Sequence, residues 1–91
     1  MNIILKEKMN KEVKVLKLKE KEFDKLIIKM KKIQDSIKEN KVLDDDIKEK
    51  LLIQTENVII NINTEKEEVV NKQEEVKEYY KELDEDLGIP F

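Results

Sequence analysis

The chain has 91 residues, of which 45% are charged, and its 19 lysines and 22 acidic residues leave a formal charge of −3. This length favours a single domain over residues 1–91. A net acidic surface without arginine lacks the clustered positive charge and the guanidinium groups that nucleic-acid binding uses. Cysteine and histidine are absent, which excludes disulfides and thiolate or imidazole metal sites.

The first segment has an apolar residue at every seventh position, which predicts a helix over about residues 2–39. The repeat consists of Met9, Leu16, Phe23, Met30 and Ile37. Val13 and Ile27 precede two of these residues by three positions and complete the pattern of a helix that packs against a partner, which Glu20 and Gln34 interrupt as polar residues. Leu26 and Ile33 widen the stripe on one side, as in a helix with more than one neighbour.

Residues 39–46 interrupt this pattern and predict a short loop. Asn40 is a good helix terminator. The acids Asp44 to Asp46 suit the start of the next helix, where free N–H groups and the positive end of the helix dipole attract anions. Three acids could also suggest a metal site, but no ligand follows at a calcium-loop spacing and no glycine allows the loop to turn. We therefore interpret them as a helix cap and expect no metal and no other cofactor.

The second segment predicts a helix over about residues 45–87, with a disturbance near 61–64. Its apolar residues form two stripes that do not share a register. One stripe contains Ile47, Leu51 and Val58; the other contains Ile62, Val69, Val76 and Leu83, joined by Ile59, Tyr80 and Leu87. The shift falls within residues 58–64, which are weak helix formers, and Thr64 with Glu67 has the spacing of a capping box. We expect the helix to kink there, or to stop and restart as a third helix.

Two segments of similar length joined by a short loop predict an all-α, long antiparallel helical hairpin. Each helix would span roughly 60 Å at 1.5 Å per residue. Gly88 and Pro90 predict the end of the second helix and a C-terminal tail over 88–91. The acids Asp84 to Asp86 lie at the unfavourable end of the helix dipole, so this last turn would fray unless a partner holds it.

The residue types present point to an interaction protein and not to an enzyme. The sequence contains no phosphate-binding glycine loop, no metal-binding histidine pair and no nucleophile elbow. Carboxylate pairs on exposed helix faces lack the pocket that would separate their pKa values. Tyr79 and Tyr80 fit either an interface hot spot or a core residue, Tyr80, beside a flanking neighbour. No apolar run approaches the ~20 residues that span a bilayer, and we expect a cytoplasmic protein with no membrane partner.

Two stretches resemble the tubulin-binding cofactor A family. Residues 13–23 read Val-Lys-Val-Leu-Lys-Leu-Lys-Glu-Lys-Glu-Phe, similar to the opening helix of that family, in which a Val-Lys-x-Leu-Lys-like stretch leads to Lys-Glu and an aromatic residue. Residues 46–50 read Asp-Ile-Lys-Glu-Lys and are followed by Ile53 and Glu56. They resemble the Tyr-Asp-Ile/Leu-Lys-Lys-Gln opening of the family's second helix, with Asp45 in place of the tyrosine.

This resemblance covers roughly residues 8–62 and implies a chaperone of the cytoskeleton. Such proteins capture β-tubulin, hold it and pass it along the assembly pathway of the tubulin heterodimer, from which microtubules are built, without nucleotide or metal. The resemblance implies that the polar residues at the matched start of the second helix contact the partner. They are Lys48, Glu49 and Glu56.

The resemblance also implies a three-helix bundle, and here the sequence departs from the family. Members often carry a proline near the position of Ile62, which this chain lacks, and the chain stops about where a third helix would begin. If no third helix forms, we expect a second copy to cover the exposed stripe in a homodimer.

Two other classes of protein fit the helical pattern. The main alternative is a structural coiled-coil or scaffold protein that self-associates into a large oligomer and has no affinity for tubulin. A prefoldin-like subunit also has two long helices, but it needs a β-hairpin segment between them, which residues 39–45 are too few to supply.

Overall fold

The structure, a computed structural model, describes residues 2–87 and is a hairpin of two long helices. Helix α1 comprises Ile3–Glu39 and helix α2 comprises Asp45–Asp86. They pack side by side in a rod with extents of 67 × 15 × 12 Å. The predicted all-α helical hairpin is confirmed. Gly88, Pro90 and the rest of the predicted tail lie outside the described residues.

Side chains of the loop accept hydrogen bonds from backbone N–H groups of the loop itself and of the first turn of α2. Asn40 Oδ1 accepts hydrogen bonds from the N–H groups of Val42 and Leu43, at 2.8 and 2.9 Å. Asp44 Oδ1 accepts one from the N–H of Ile47 at 2.9 Å and is the N-cap of α2. Helix α1 thus ends before Asn40, and an aspartate begins α2, as the sequence predicts.

The core is a stripe along the facing sides of the two helices, which we call the seam. Most of the shielded residues of the helices follow one another in alternating steps of three and four, the spacing of a coiled coil. On α1 they are Met9, Val13, Leu16, Glu20, Phe23, Ile27, Met30, Gln34 and Ile37. On α2 they are Leu52, Thr55, Ile59, Ile62, Lys66, Val69, Gln73, Val76, Tyr80 and Leu83. The best-shielded apolar side chains, Val13, Ile59 and Tyr80, are 5–7% exposed, and they are spread along the rod.

Helix α2 is continuous through residues 58–64, where the apolar pattern predicts a disturbance. Thr64 does not cap a new helix, because its hydroxyl group donates a hydrogen bond to the carbonyl of Ile60, one turn earlier, at 3.0 Å. The alternative in which the helix stops there and a third helix follows is therefore wrong for the described part of the chain.

The predicted change of register in α2 is also wrong, because the seam keeps one register throughout. Ile47 and Val58, which the apolar pattern assigns to the first stripe, are 44% and 42% exposed and lie beside the seam. Leu52, Thr55 and Ile59 occupy the seam instead. Thr55 fits there because its hydroxyl group donates to the carbonyl of Leu52 at 2.9 Å and is thereby satisfied within its own helix.

Candidate protein-binding surfaces

The three residues predicted to contact a partner lie in one groove near the loop, which we call the loop groove. The first turns of α2 carry these residues, which are Lys48, Glu49 and Glu56. The groove is lined by Gln34, Lys38, Asp45, Lys48, Glu49, Leu52, Ile53 and Glu56. Its walls carry both signs of charge, and Ile53, which is 55% exposed, adds an apolar surface. Charged side chains of this kind are typical of the polar rim of a protein interface, and Ile53 is an apolar side chain that such a rim can surround.

Two of the three predicted contacts also hold the helices together. Gln34 Nε2 donates a hydrogen bond to Glu56 Oε2 at 2.9 Å. The ammonium group of Lys48 lies 3.4 Å from the carbonyl oxygen of Lys38, near the end of α1. A carboxylate and an ammonium group have further hydrogen-bonding capacity beyond one such bond. Lys48 and Glu56 can therefore serve the hairpin and a partner together.

Polar pairs also cross the seam farther from the loop. Gln73 Nε2 donates to Glu20 Oε2 at 3.0 Å in a partly buried setting, and Gln73 itself is 6% exposed. Lys66 Nζ lies 2.6 Å from Asp24 Oδ1. The hydrogen bond to Asp24 raises the pKa of Lys66, although partial burial acts in the opposite direction. The sequence predicts Glu20 as a polar interruption of the α1 stripe, but it does not identify Lys66 and Gln73 of α2, because polar residues do not show in an apolar periodicity.

The end of the rod opposite the loop is held by polar contacts between the helices. The N–H of Asn2, the N-cap of α1, donates to Asp84 Oδ1 of α2 at 3.1 Å. Burial raises the pKa of Tyr80, and a hydrogen bond with Glu12 of α1 raises that pKa further. The pKa values of Tyr80 and Lys66 are both raised, and therefore lie farther from the neutral range in which a general acid or base is most effective.

The tyrosine pair divides between the core and the surface. Tyr80 lies in the seam, whereas Tyr79 is 60% exposed on its flank. The two rings meet edge to face with centroids 5.2 Å apart. This arrangement agrees with the second interpretation left open by the sequence, in which Tyr80 is a core residue and Tyr79 lies beside it.

The side of the seam opposite the loop groove carries an apolar surface, which we call the apolar flank. It consists of Leu26 and Ile33 on α1 and Leu51 and Val58 on α2. Each of them directly precedes a seam residue in the sequence. Successive residues are about 100° apart around a helix, so each of the four lies beside the seam. Because the helices are antiparallel, this position falls on the same side of the seam in both. Leu26, Ile33 and Val58 are 42–47% exposed. The widened stripe predicted from Leu26 and Ile33 thus extends onto both helices.

The two helices carry opposite net charges. Helix α1 has 12 lysines and 7 acidic residues, whereas α2 has 6 lysines and 14 acidic residues. The formal charges are therefore +5 and −8, although the whole chain has only −3. One long side of the rod is basic and the other is acidic, a division that composition alone conceals.

Other kinds of site find no support in the part of the chain from residue 2 to residue 87. It contains no group of three acidic, histidine or cysteine side chains arranged to hold a metal ion. Within the same residues, neither helix has a stretch long and apolar enough to cross a membrane. Comparison of the chain with family models, with curated proteins and with solved structures gives no match.

Proposed function

We propose that the protein is a non-catalytic chaperone that binds β-tubulin and holds it during heterodimer assembly in the cytoplasm, in association with the cytoskeleton. The observation that carries the proposal is the loop groove. It gathers Lys48, Glu49 and Glu56, the residues at which the sequence resembles the start of the second helix in the cofactor A family. The client, β-tubulin, rests on that resemblance alone.

The loop groove offers a means of holding a partner without chemistry. Ile53 and Leu52 provide apolar area, and the charges around them provide hydrogen bonds that fix orientation. Glu49 is exposed on the groove wall and is the residue whose charge a partner would meet most directly. Binding at such a surface hides part of the client from other subunits, and no nucleotide or metal is needed.

The test is to incubate the purified chain with β-tubulin released from the chaperonin and to separate the products on native gels. We expect a co-migrating complex. Glu49→Lys should weaken the complex at least tenfold, since it reverses a charge on the groove wall. Glu78→Lys is the matched control, because Glu78 is also an exposed acid of α2 but lies more than 40 Å along the helix at about 1.5 Å per residue.

The outcomes separate the proposal from its alternative. If the wild-type chain forms no complex with β-tubulin, the chaperone role is refuted, and the self-associating scaffold becomes the better assignment. If Glu49→Lys and Glu78→Lys bind equally well, β-tubulin binding stands but the loop groove is not the binding site.

A further inference from the structure

The apolar flank is a second interaction surface, on the opposite side of the seam from the loop groove. We propose that a second copy of the chain covers it, and that two hairpins pack flank to flank, with their loops at the same end, into a four-helix bundle. This proposal goes beyond the chaperone role and does not depend on it. It rests on the size of the surface, its position along the rod and the charges of the two helices.

The dimensions of the rod suit a dimer. A standard stable interface buries about 800 Å² per partner, and one side of the rod, 67 × 15 Å, reaches about 1,000 Å² when two copies overlap along their whole length. Leu26, Ile33, Leu51 and Val58 would supply the apolar centre of this contact. A single hairpin gains little burial from its own seam, in which three apolar side chains fall below one-tenth exposure.

The position of the flank decides how the two rods are oriented. A closed dimer uses the same patch on both copies, related by a two-fold axis. The flank lies in the half of the rod next to the loop. With the axis parallel to the rod, the patches coincide and the rods overlap along their whole length. With the axis across the rod, the patches coincide only if the two halves that carry the chain termini project in opposite directions without a partner.

The helix charges favour the same orientation. With the axis parallel to the rod, α1 of each copy, with charge +5, faces α2 of the other, with charge −8. With the axis across the rod, α2 of each copy faces α2 of the other copy. The two α2 helices, each with 14 acidic residues and 6 lysines, would then lie against one another. Like charges across an interface are unfavourable, and complementary ones select the partner.

Sedimentation equilibrium of the full chain tests the dimer. One chain has a mass of 10.9 kDa, and we expect twice that mass. The double variant I33E/V58E should return the mass to that of one chain and keep its helical circular dichroism, because both side chains are already partly exposed. The matched control I28E/I60E alters two isoleucines of similar exposure that lie away from the flank, and it should remain dimeric.

Three results would overturn the dimer. They are a wild-type chain that stays monomeric at high concentration, a folded I33E/V58E variant that stays dimeric, and a control that dissociates equally. If I33E/V58E loses its helical signal, L26A/I33A takes its place, since it removes apolar contact without adding charge. This variant should raise the dissociation constant of the dimer at least tenfold, and an unchanged constant refutes the flank.

A single spin label at K11C tests the orientation, since the chain has no other cysteine. With the loops at the same end, the two labels should lie within about 40 Å of each other. In the opposed arrangement centred on the flank, Lys11 of each copy lies 22 residues from Ile33, which places the labels about 65 Å apart. Dipolar spectroscopy distinguishes these distances, and a value near 65 Å overturns the proposed orientation.

Discussion

Tyr80 shows how a single buried residue links the stability of the hairpin to pH. Its ring lies in the seam, and burial followed by the hydrogen bond with Glu12 raises the pKa of its hydroxyl group above the ordinary value of 10.0. The folded chain therefore holds this proton more tightly than the unfolded chain does. The corresponding stability is complete below pH 10 and is lost as the pH rises through the raised pKa.

Tyr80→Phe should make the hairpin less sensitive to alkali. The substitution keeps the ring and removes the titrating group. The melting temperature, followed by circular dichroism, should therefore decline less steeply between about pH 9 and 11 than that of the wild type. Tyr79→Phe is the control, because that ring is 60% exposed. If the melting temperature of Tyr80→Phe falls with rising pH as steeply as that of the wild type, the role of Tyr80 is contradicted.

Asp84 shows that a charge must be judged against both helices. By its position in α2 it opposes the dipole of its own helix. The antiparallel fold brings it to the N-terminus of α1, whose first turn contains no acid, and there it is 3% exposed and accepts the hydrogen bond from Asn2. The sequence predicts that the last turn needs a partner, and α1 of the same chain provides that partner.

At the scale of the helices, polar residues in the seam fix how α1 and α2 are aligned. A shift of one helix by a heptad would keep many apolar contacts but would separate Gln73 from Glu20 and Lys66 from Asp24. Polar groups at such positions are known to specify register at some expense of stability. The alignment of this hairpin therefore depends on residues that contribute little to its burial.

Gln73→Leu should lower the free energy of unfolding by about 1–3 kcal/mol, because it leaves the carboxylate of Glu20 in the seam without its donor. The double variant E20L/Q73L should recover that loss or exceed wild-type stability, since an apolar pair replaces a polar one. Denaturant unfolding of the two single variants and the double variant measures the coupling. Additive effects would show that the two side chains do not interact.

The sequence predicts α1, the loop and the hairpin correctly, because these rest on regular apolar spacing and on caps that act locally. It fails in α2 for a specific reason. Exposed residues such as Ile47 and Val58 are as apolar as the seam, while Thr55, Lys66 and Gln73 in the seam are polar. Partners 22 to 82 residues away decide which stripe is buried, and local periodicity contains no information on them.

At the scale of the whole molecule, the seam joins the two ends of the rod into one unit. Neither helix of the described chain has another element to pack against. The stability of a helix in a protein comes mainly from packing of its apolar face. The two helices are therefore expected to unfold together.

Ile59→Ala tests this cooperativity. Truncating this 5% exposed side chain should cost roughly 2 kcal/mol, the low end for such a change, because the seam is narrow. The intrinsic fluorescence of the tyrosines, about 30 Å away along α2 at 1.5 Å per residue, should report the same lowered midpoint as circular dichroism. If the tyrosine signal keeps its wild-type midpoint, the ends of the rod unfold independently.

The loop has a consequence for how the chain folds. Asn40 and Asp44 order the reversal with bonds that reach at most three residues, so the turn closes at little entropic cost. Pairs next to it, such as Lys38 with Lys48, are close in sequence, whereas Asn2 and Asp84 are separated by 82 residues. Folding should therefore nucleate at the turn and proceed toward the termini, which makes Asn40 a determinant of the folding rate and the Asn2–Asp84 contact one of the last to form.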